Sequence, residues 1–111
     1  MKVAITSAGK DLQSLIDPRF GRCSYFVFYD TTDQSYEMVP NPGKDALDGA
    51  GPTAVQFIAS RSVSKVVSGE FGIKIKSLLD SLGIQMIILK DAEMSVQKVI
   101  DLLNANKTLN T

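Results

Sequence analysis

The sequence predicts an α/β domain: one mixed five-stranded sheet carrying three helices, in the order βββαβαβα. Three observations predict it. Up to Pro40 the apolar residues come as three short runs parted by polar turns, the pattern of strands rather than helices. From Pro52 onward, apolar residues at helical spacing alternate with short apolar runs, the pattern of strands joined by crossover helices. With 111 residues, 44% of them apolar, the chain is one domain over residues 1–111 with enough apolar surface for a core. The first three strands are expected as an antiparallel meander and the last two as parallel neighbours in the same sheet.

The elements follow in order. Val3-Ala4-Ile5, closed by Ser7-Ala8-Gly9-Lys10, reads as a buried first strand. Asp11 to Arg22 reads as a long loop from which Leu12, Leu15 and Ile16 pack inward, with Pro18 barring a helix. Ser24 to Asp30 is aromatic and β-branched, a strand. After the polar turn Thr31–Gln34, Ser35 to Pro40 alternates in a way that fits a half-exposed strand, and Pro40 places it at an edge. Asn41 to Gly51 is a polar loop. Pro52 suits a first helical turn, with a helix over Thr53–Arg61 burying Ala54, Val55, Ile58 and Ala59.

Lys65–Gly69 reads as the fourth strand. A second helix is predicted over Ile73–Leu82, with Ile75, Leu78, Leu79 and Leu82 inward, Lys74 and Lys76 outward, and Gly83 as its stop. Gln85–Leu89 is a nearly unbroken apolar run, as in a strand covered on both faces. Ser95 caps a third helix with Val96, Val99, Ile100 and Leu103 at helical spacing, and the polar end from Asn104 is expected to fray.

Composition excludes several function classes. Lys plus Arg equals Asp plus Glu, so the charge excess of sequence-independent nucleic-acid binding is missing. Histidine is absent, which removes the usual base near neutral pH and the commonest transition-metal ligand. One cysteine cannot make an internal disulfide, which suits a reducing cytoplasm. No apolar run reaches the ~20 residues of a membrane helix, and no leader pattern opens the chain. Hydrolytic chemistry lacks a base for its serines and a converging carboxylate set. A non-enzymatic role is expected.

The chemistry is concentrated in Asp17-Pro18-Arg19-Phe20-Gly21-Arg22-Cys23. Arg19 and Arg22 offer forked donors to an anion, or pair with carboxylates such as Asp17. Phe20 reads as an anchor to the core. Cys23 reads either as a thiolate for a soft metal, with Arg22 lowering its pKa, or as a small apolar residue. Two further glycine loops, Gly49-Ala50-Gly51 and Gly69-Glu70-Phe71-Gly72, each open a helix, where free backbone N–H groups favour anions. All three loops are expected at one end of the sheet, where open α/β sheets bind ligands.

The Arg19–Cys23 turn followed by Tyr25-Phe26, with Asn41-Pro42, Gly49-x-Gly51, Gly69-x-x-Gly72 and Gly83-Ile84 in that order, resembles the dinitrogenase iron–molybdenum cofactor biosynthesis family. The resemblance runs over nearly the whole chain. It implies a ribonuclease H-like fold and a carrier or accessory role without catalysis. The implied cargo is an iron–sulfur or iron–molybdenum cofactor precursor, or a related metal cluster, with cluster donor or acceptor proteins as partners. The implied binding residues are Arg19, Phe20, Gly21, Arg22, Cys23, Asp48, Gly49, Gly51, Gly69 and Gly72, with Cys23 as the metal ligand. The alternative is a module of the same fold that binds small anions or a protein partner and has lost the cluster.

Overall fold

The computed structural model describes residues 1–91 and 93–105. Its elements are β1 (Lys2–Ser7), β2 (Tyr25–Asp30), β3 (Tyr36–Pro40), α1 (Ala50–Ala59), β4 (Lys65–Ser68), α2 (Ile73–Ser81), β5 (Gln85–Ile88) and α3 (Val96–Ala105). The strands form one five-stranded sheet in the order β3-β2-β1-β4-β5. β1 runs antiparallel to β2, and β2 antiparallel to β3, the expected meander. β4 is parallel to both β1 and β5, as the helical connections predict.

Pleating sorts each central strand onto two cores. Ala4, Phe26, Phe28 and Val66 pack with Ala54, Ile58 and Leu79 of α1 and α2. Val3, Val27, Tyr29 and Val67 pack with Val96 and Val99 of α3 on the other face. Each large apolar side chain buried this way contributes about 1.5–3 kcal/mol, so a sheet covered on both faces explains the near-continuous apolar runs of β1, β2 and β4.

Several expectations are corrected. Helix α1 starts three residues early, at Ala50 rather than Thr53. Gly49, in the left-handed region at φ 69°, turns the chain, and Thr53 N–H donates to the Gly49 carbonyl at 3.0 Å to close the first turn. Pro52 fits inside that turn because its missing N–H has no partner to lose there. Helix α2 buries Ile75 and Leu79 but leaves Leu78 and Leu82 38% and 54% exposed. Helical spacing marks an apolar stripe but not where the sheet beneath it stops, and here it stops at β5. For the same reason β5 is not covered on both faces along its length: Ile87 is buried, while Ile88 is 53% exposed at the edge. Leu15 is exposed although its backbone bridges Ser95. Asn104 is helical and accepts a hydrogen bond from the Tyr29 hydroxyl, so the helix does not fray there. The rest of the expected frayed end, residues 106–111, lies outside the described residues.

Candidate functional site

The loop that follows β1 is stitched across the end of the sheet. Thr6, on β1, donates its hydroxyl to the Asp17 carbonyl at 2.7 Å and accepts the Asp17 N–H at 3.1 Å. The Asp17 carboxylate is buried and accepts two bonds from Arg19, from its backbone N–H at 2.9 Å and from Nε at 3.4 Å. The Arg19 side chain itself stays 58% exposed. Its backbone bridges Glu70, just past β4. Pro18 lies on Gly69 so closely that a Cβ there would stand 2.5 Å from Pro18 Cα. Only glycine fits beneath it.

The turn then drops into the core. The Phe20 ring is buried, 5.3 Å from Phe71 and 5.8 Å from Phe26, the anchor expected of it. Gly21 passes over the start of α1, where a Cβ would meet Gly51 N at 2.9 Å. Two residues had no such role in the sequence reading. Phe71 completes the aromatic anchor. Asn41 is buried and donates its amide to the carbonyls of Gly21 and Cys23, each at 3.0 Å, while Oδ1 accepts the Gly43 N–H at 3.1 Å. The signal for Asn41 was its place before Pro42-Gly43, since asparagine bonds its own loop.

Arg22 differs from expectation, and Cys23 takes the second of its two expected roles, a small buried residue. Arg22 Nη1 donates to the carbonyls of Lys44 (3.0 Å) and Ala46, so it clamps the loop before α1 instead of a carboxylate. Cys23 is fully buried, and its thiol is pushed up to about 12, first by burial and then by the Asp17 charge. Of the two readings of Cys23, the neutral thiol in the floor of the turn is the one that its burial favours. Among the described residues, no group of three or more His, Cys, Asp or Glu is placed to hold a metal ion.

Above that floor opens a hollow of about 310 Å³. Arg19, Phe20, Gly21 and Arg22 form one wall, with Ala50 and Gly51 of α1 and Glu70, Gly72 and Ile75 of the α2 entrance opposite. Six of the expected residues thus meet: Arg19, Phe20, Gly21, Arg22, Gly51 and Gly72. Cys23, Asp48, Gly49 and Gly69 do not line it. α1 and α2 both begin at a glycine, Gly49 and Gly72, without a side-chain cap and without an acid in the first turn. Their positive ends and Arg19 face the same space, against the single carboxylate of Glu70, so the chemistry offered is donation to an anion. Among the described residues, no helix is long and apolar enough to cross a membrane.

A family model described as dinitrogenase iron-molybdenum cofactor matches residues 1–106. The fold is similar to the apo form of the orange protein from Desulfovibrio gigas, with a TM-score of 0.86 and 28% identity over 95% of this chain and 88% of that one. It is also similar to an NMR structure of a NifB candidate from Thermotoga assigned to the DUF35 family, with a TM-score of 0.78 and 35% identity over 94% of this chain and 87% of that one. A curated relative, an uncharacterized protein of Methanocaldococcus jannaschii, is 27% identical over 74 residues. That match covers 64% of this chain and 63% of the relative's length.

Proposed function

The chain belongs to the dinitrogenase iron-molybdenum cofactor family, and from that premise we propose that it is a non-catalytic carrier or accessory protein. Its cargo is an anionic iron–sulfur or iron–molybdenum cofactor precursor, held between the starts of α1 and α2. Cluster donor and acceptor proteins are its partners. The family resemblance also carries the ribonuclease H-like assignment of the fold.

One observation carries the reading: two uncapped helix starts and Arg19 converge on one hollow. A helix start contributes up to about 2 kcal/mol to a partly buried anion. Two of them act on the same space together with the Arg19 charge. A multiply charged cluster gains more from the same donors, so the hollow favours it over chloride or a carboxylate. No side chain of the hollow is a soft metal ligand, so the cargo arrives with its own sulfide or thiol shell and is held by hydrogen bonds and charge. A small oxyanion is the second reading, favoured by that same lack of ligands.

Anaerobic incubation with iron and sulfide, or with a preformed cluster, followed by gel filtration tests this. Cluster absorbance is expected to co-elute with the protein, and Arg19→Glu is expected to abolish it. Absence of cluster absorbance from the protein peak overturns the carrier reading. Thermal stabilisation by phosphate or molybdate that Arg19→Glu removes establishes the oxyanion reading instead in that case.

A further inference from the structure

A second hollow, larger than the one between the helix starts, opens elsewhere on the molecule. It measures about 540 Å³, within the range of small-molecule sites, and lies on the far side of the Arg22 clamp. Lys10, from the turn after β1, and Lys44, from the loop after β3, both line it. Neither makes an ion pair among the described residues. Ser24 and Tyr25, at the entrance to β2, add two hydroxyls that are likewise uncommitted among the described residues, and Pro40 adds a rigid apolar face beside the Tyr25 ring.

Several backbone groups behind these side chains are, by contrast, already bonded. Asn41 ties the Gly21 and Cys23 carbonyls to the Gly43 N–H. Arg22 ties down the carbonyls of Lys44 and Ala46. The buried Asn41 and the half-buried Arg22 therefore hold the wall in place, while the donors that face the hollow are unspent. A site is built in this way when the supporting shell fixes the loops and the front shell is left for a ligand.

We propose that this hollow binds a phosphomonoester on a flat ring, of the nucleoside monophosphate class. Lys10 and Lys44 receive the phosphate, which carries about −1.5 to −2 charges near pH 7 and so matches two ammonium groups. The Ser24 and Tyr25 hydroxyls donate to its oxygens or to the sugar. The ring lies against Tyr25 and Pro40. Asp45, the single carboxylate in the lining, opposes the phosphate and limits affinity. The site lies apart from Arg19 and Gly72, so it goes beyond the carrier reading and stands or falls independently of it.

Amide NMR of the full chain, titrated separately with adenosine 5′-monophosphate, adenosine and inorganic phosphate, tests the proposal. The monophosphate is expected to shift the amides of Lys10, Ser24, Tyr25 and Lys44 saturably. Adenosine and phosphate alone bind the same residues roughly tenfold more weakly or worse, since each keeps one half of the contacts. The double variant Lys10→Glu/Lys44→Glu, both positions being on the surface, is expected to abolish these shifts, and Asp45→Asn to tighten binding. Arg19→Ala leaves them unchanged. Shifts confined to Gly51 and Gly72, no saturable shift at millimolar ligand, or undiminished binding by the double variant would each overturn it. Amide spectra of the variants confirm that the fold is kept.

Discussion

Helix α3 starts closed, and helices α1 and α2 start open. At α3 the Ser95 hydroxyl accepts the Lys98 N–H at 3.1 Å, while Val96 N–H donates to the Ser14 carbonyl and Gln97 N–H to the Leu12 carbonyl, each at 2.9 Å. The leading amides of that helix are consumed inside the molecule. At α1 and α2 a glycine stands where serine or aspartate is preferred, and no side chain reaches back to the first turn. α1 and α3 each bury four residues against the sheet, yet one starts open and the other closed, so packing does not explain the difference. What distinguishes them is location: α1 and α2 start at the hollow behind Arg19, and α3 starts against the Leu12–Ser14 loop.

The largest expected effect tests the floor beneath the open pair. Gly69→Ala sets a Cβ 2.5 Å from Pro18 Cα and 3.1 Å from the Pro18 carbonyl oxygen, both backbone atoms that cannot swing aside. The loop bearing Arg19 must lift, at a cost of about 3 kcal/mol, read as a fall in the urea midpoint. Unchanged stability would show that the loop is loosely seated and that the open starts lack a rigid wall.

Next in size is the alkaline behaviour of Cys23. Its folded pKa, pushed up to about 12, exceeds the ordinary value of 9.0. The unfolded chain therefore loses this proton first. The stabilisation is complete below about pH 9 and is lost as pH rises towards 12, at up to about 1.4 kcal/mol per pH unit. At pH 10.5 that amounts to about 2 kcal/mol. Urea midpoints at pH 8 and pH 10.5 should differ less in Cys23→Ala than in the parent chain. Equal differences would mean that the thiol is not sealed in the floor.

These two positions also mark where the sequence stops being readable. The aromatic, β-branched run of β2 and the apolar run of β4 identify their strands because burial on both faces leaves a local mark. The start of α2 at Gly72 is legible for a similar reason, since glycine before an apolar period is a local signal, whereas α1 begins three residues before the expected Thr53. Contacts between distant segments leave none. Gly69 beneath Pro18, Phe71 against Phe20, and Asn41 holding Gly21 each join segments 18 or more residues apart. For Cys23 the sequence leaves two readings open, because adjacency to Arg22 in sequence does not tell whether the two side chains meet in space. The guanidinium instead reaches across to the Lys44 and Ala46 carbonyls, and the thiol faces the core.

Opening the closed helix gives a smaller effect. Ser95→Ala removes the hydroxyl that accepts the Lys98 N–H, at a cost of about 1 kcal/mol, with cluster or anion binding unaffected. A loss of binding with this variant would show that the helix starts are coupled through the sheet, and the contrast between them would lose its meaning.

Closing an open helix gives the smallest change in stability and the most informative one. Gly72 sits at φ −70° and ψ 157°, the backbone a capping serine adopts, and a Cβ there meets nothing nearer than Ile75 Cγ1 at 3.9 Å. Gly72→Ser therefore places a hydroxyl over the first-turn amides without strain. Stability should rise by about 0.3 kcal/mol, the small difference between serine and glycine at this position. Retention of the cluster, or of an oxyanion in its place, should fall, because the new hydroxyl accepts the N–H that the ligand would otherwise take. Gly72→Ala supplies the same Cβ without an acceptor, so it should be slightly less stable and still bind. The two variants separate bulk from hydrogen bonding at a single atom. If Gly72→Ser gains stability and binds as before, the open start of α2 is not where the ligand sits, and the anion must be sought at α1 and Arg19 alone.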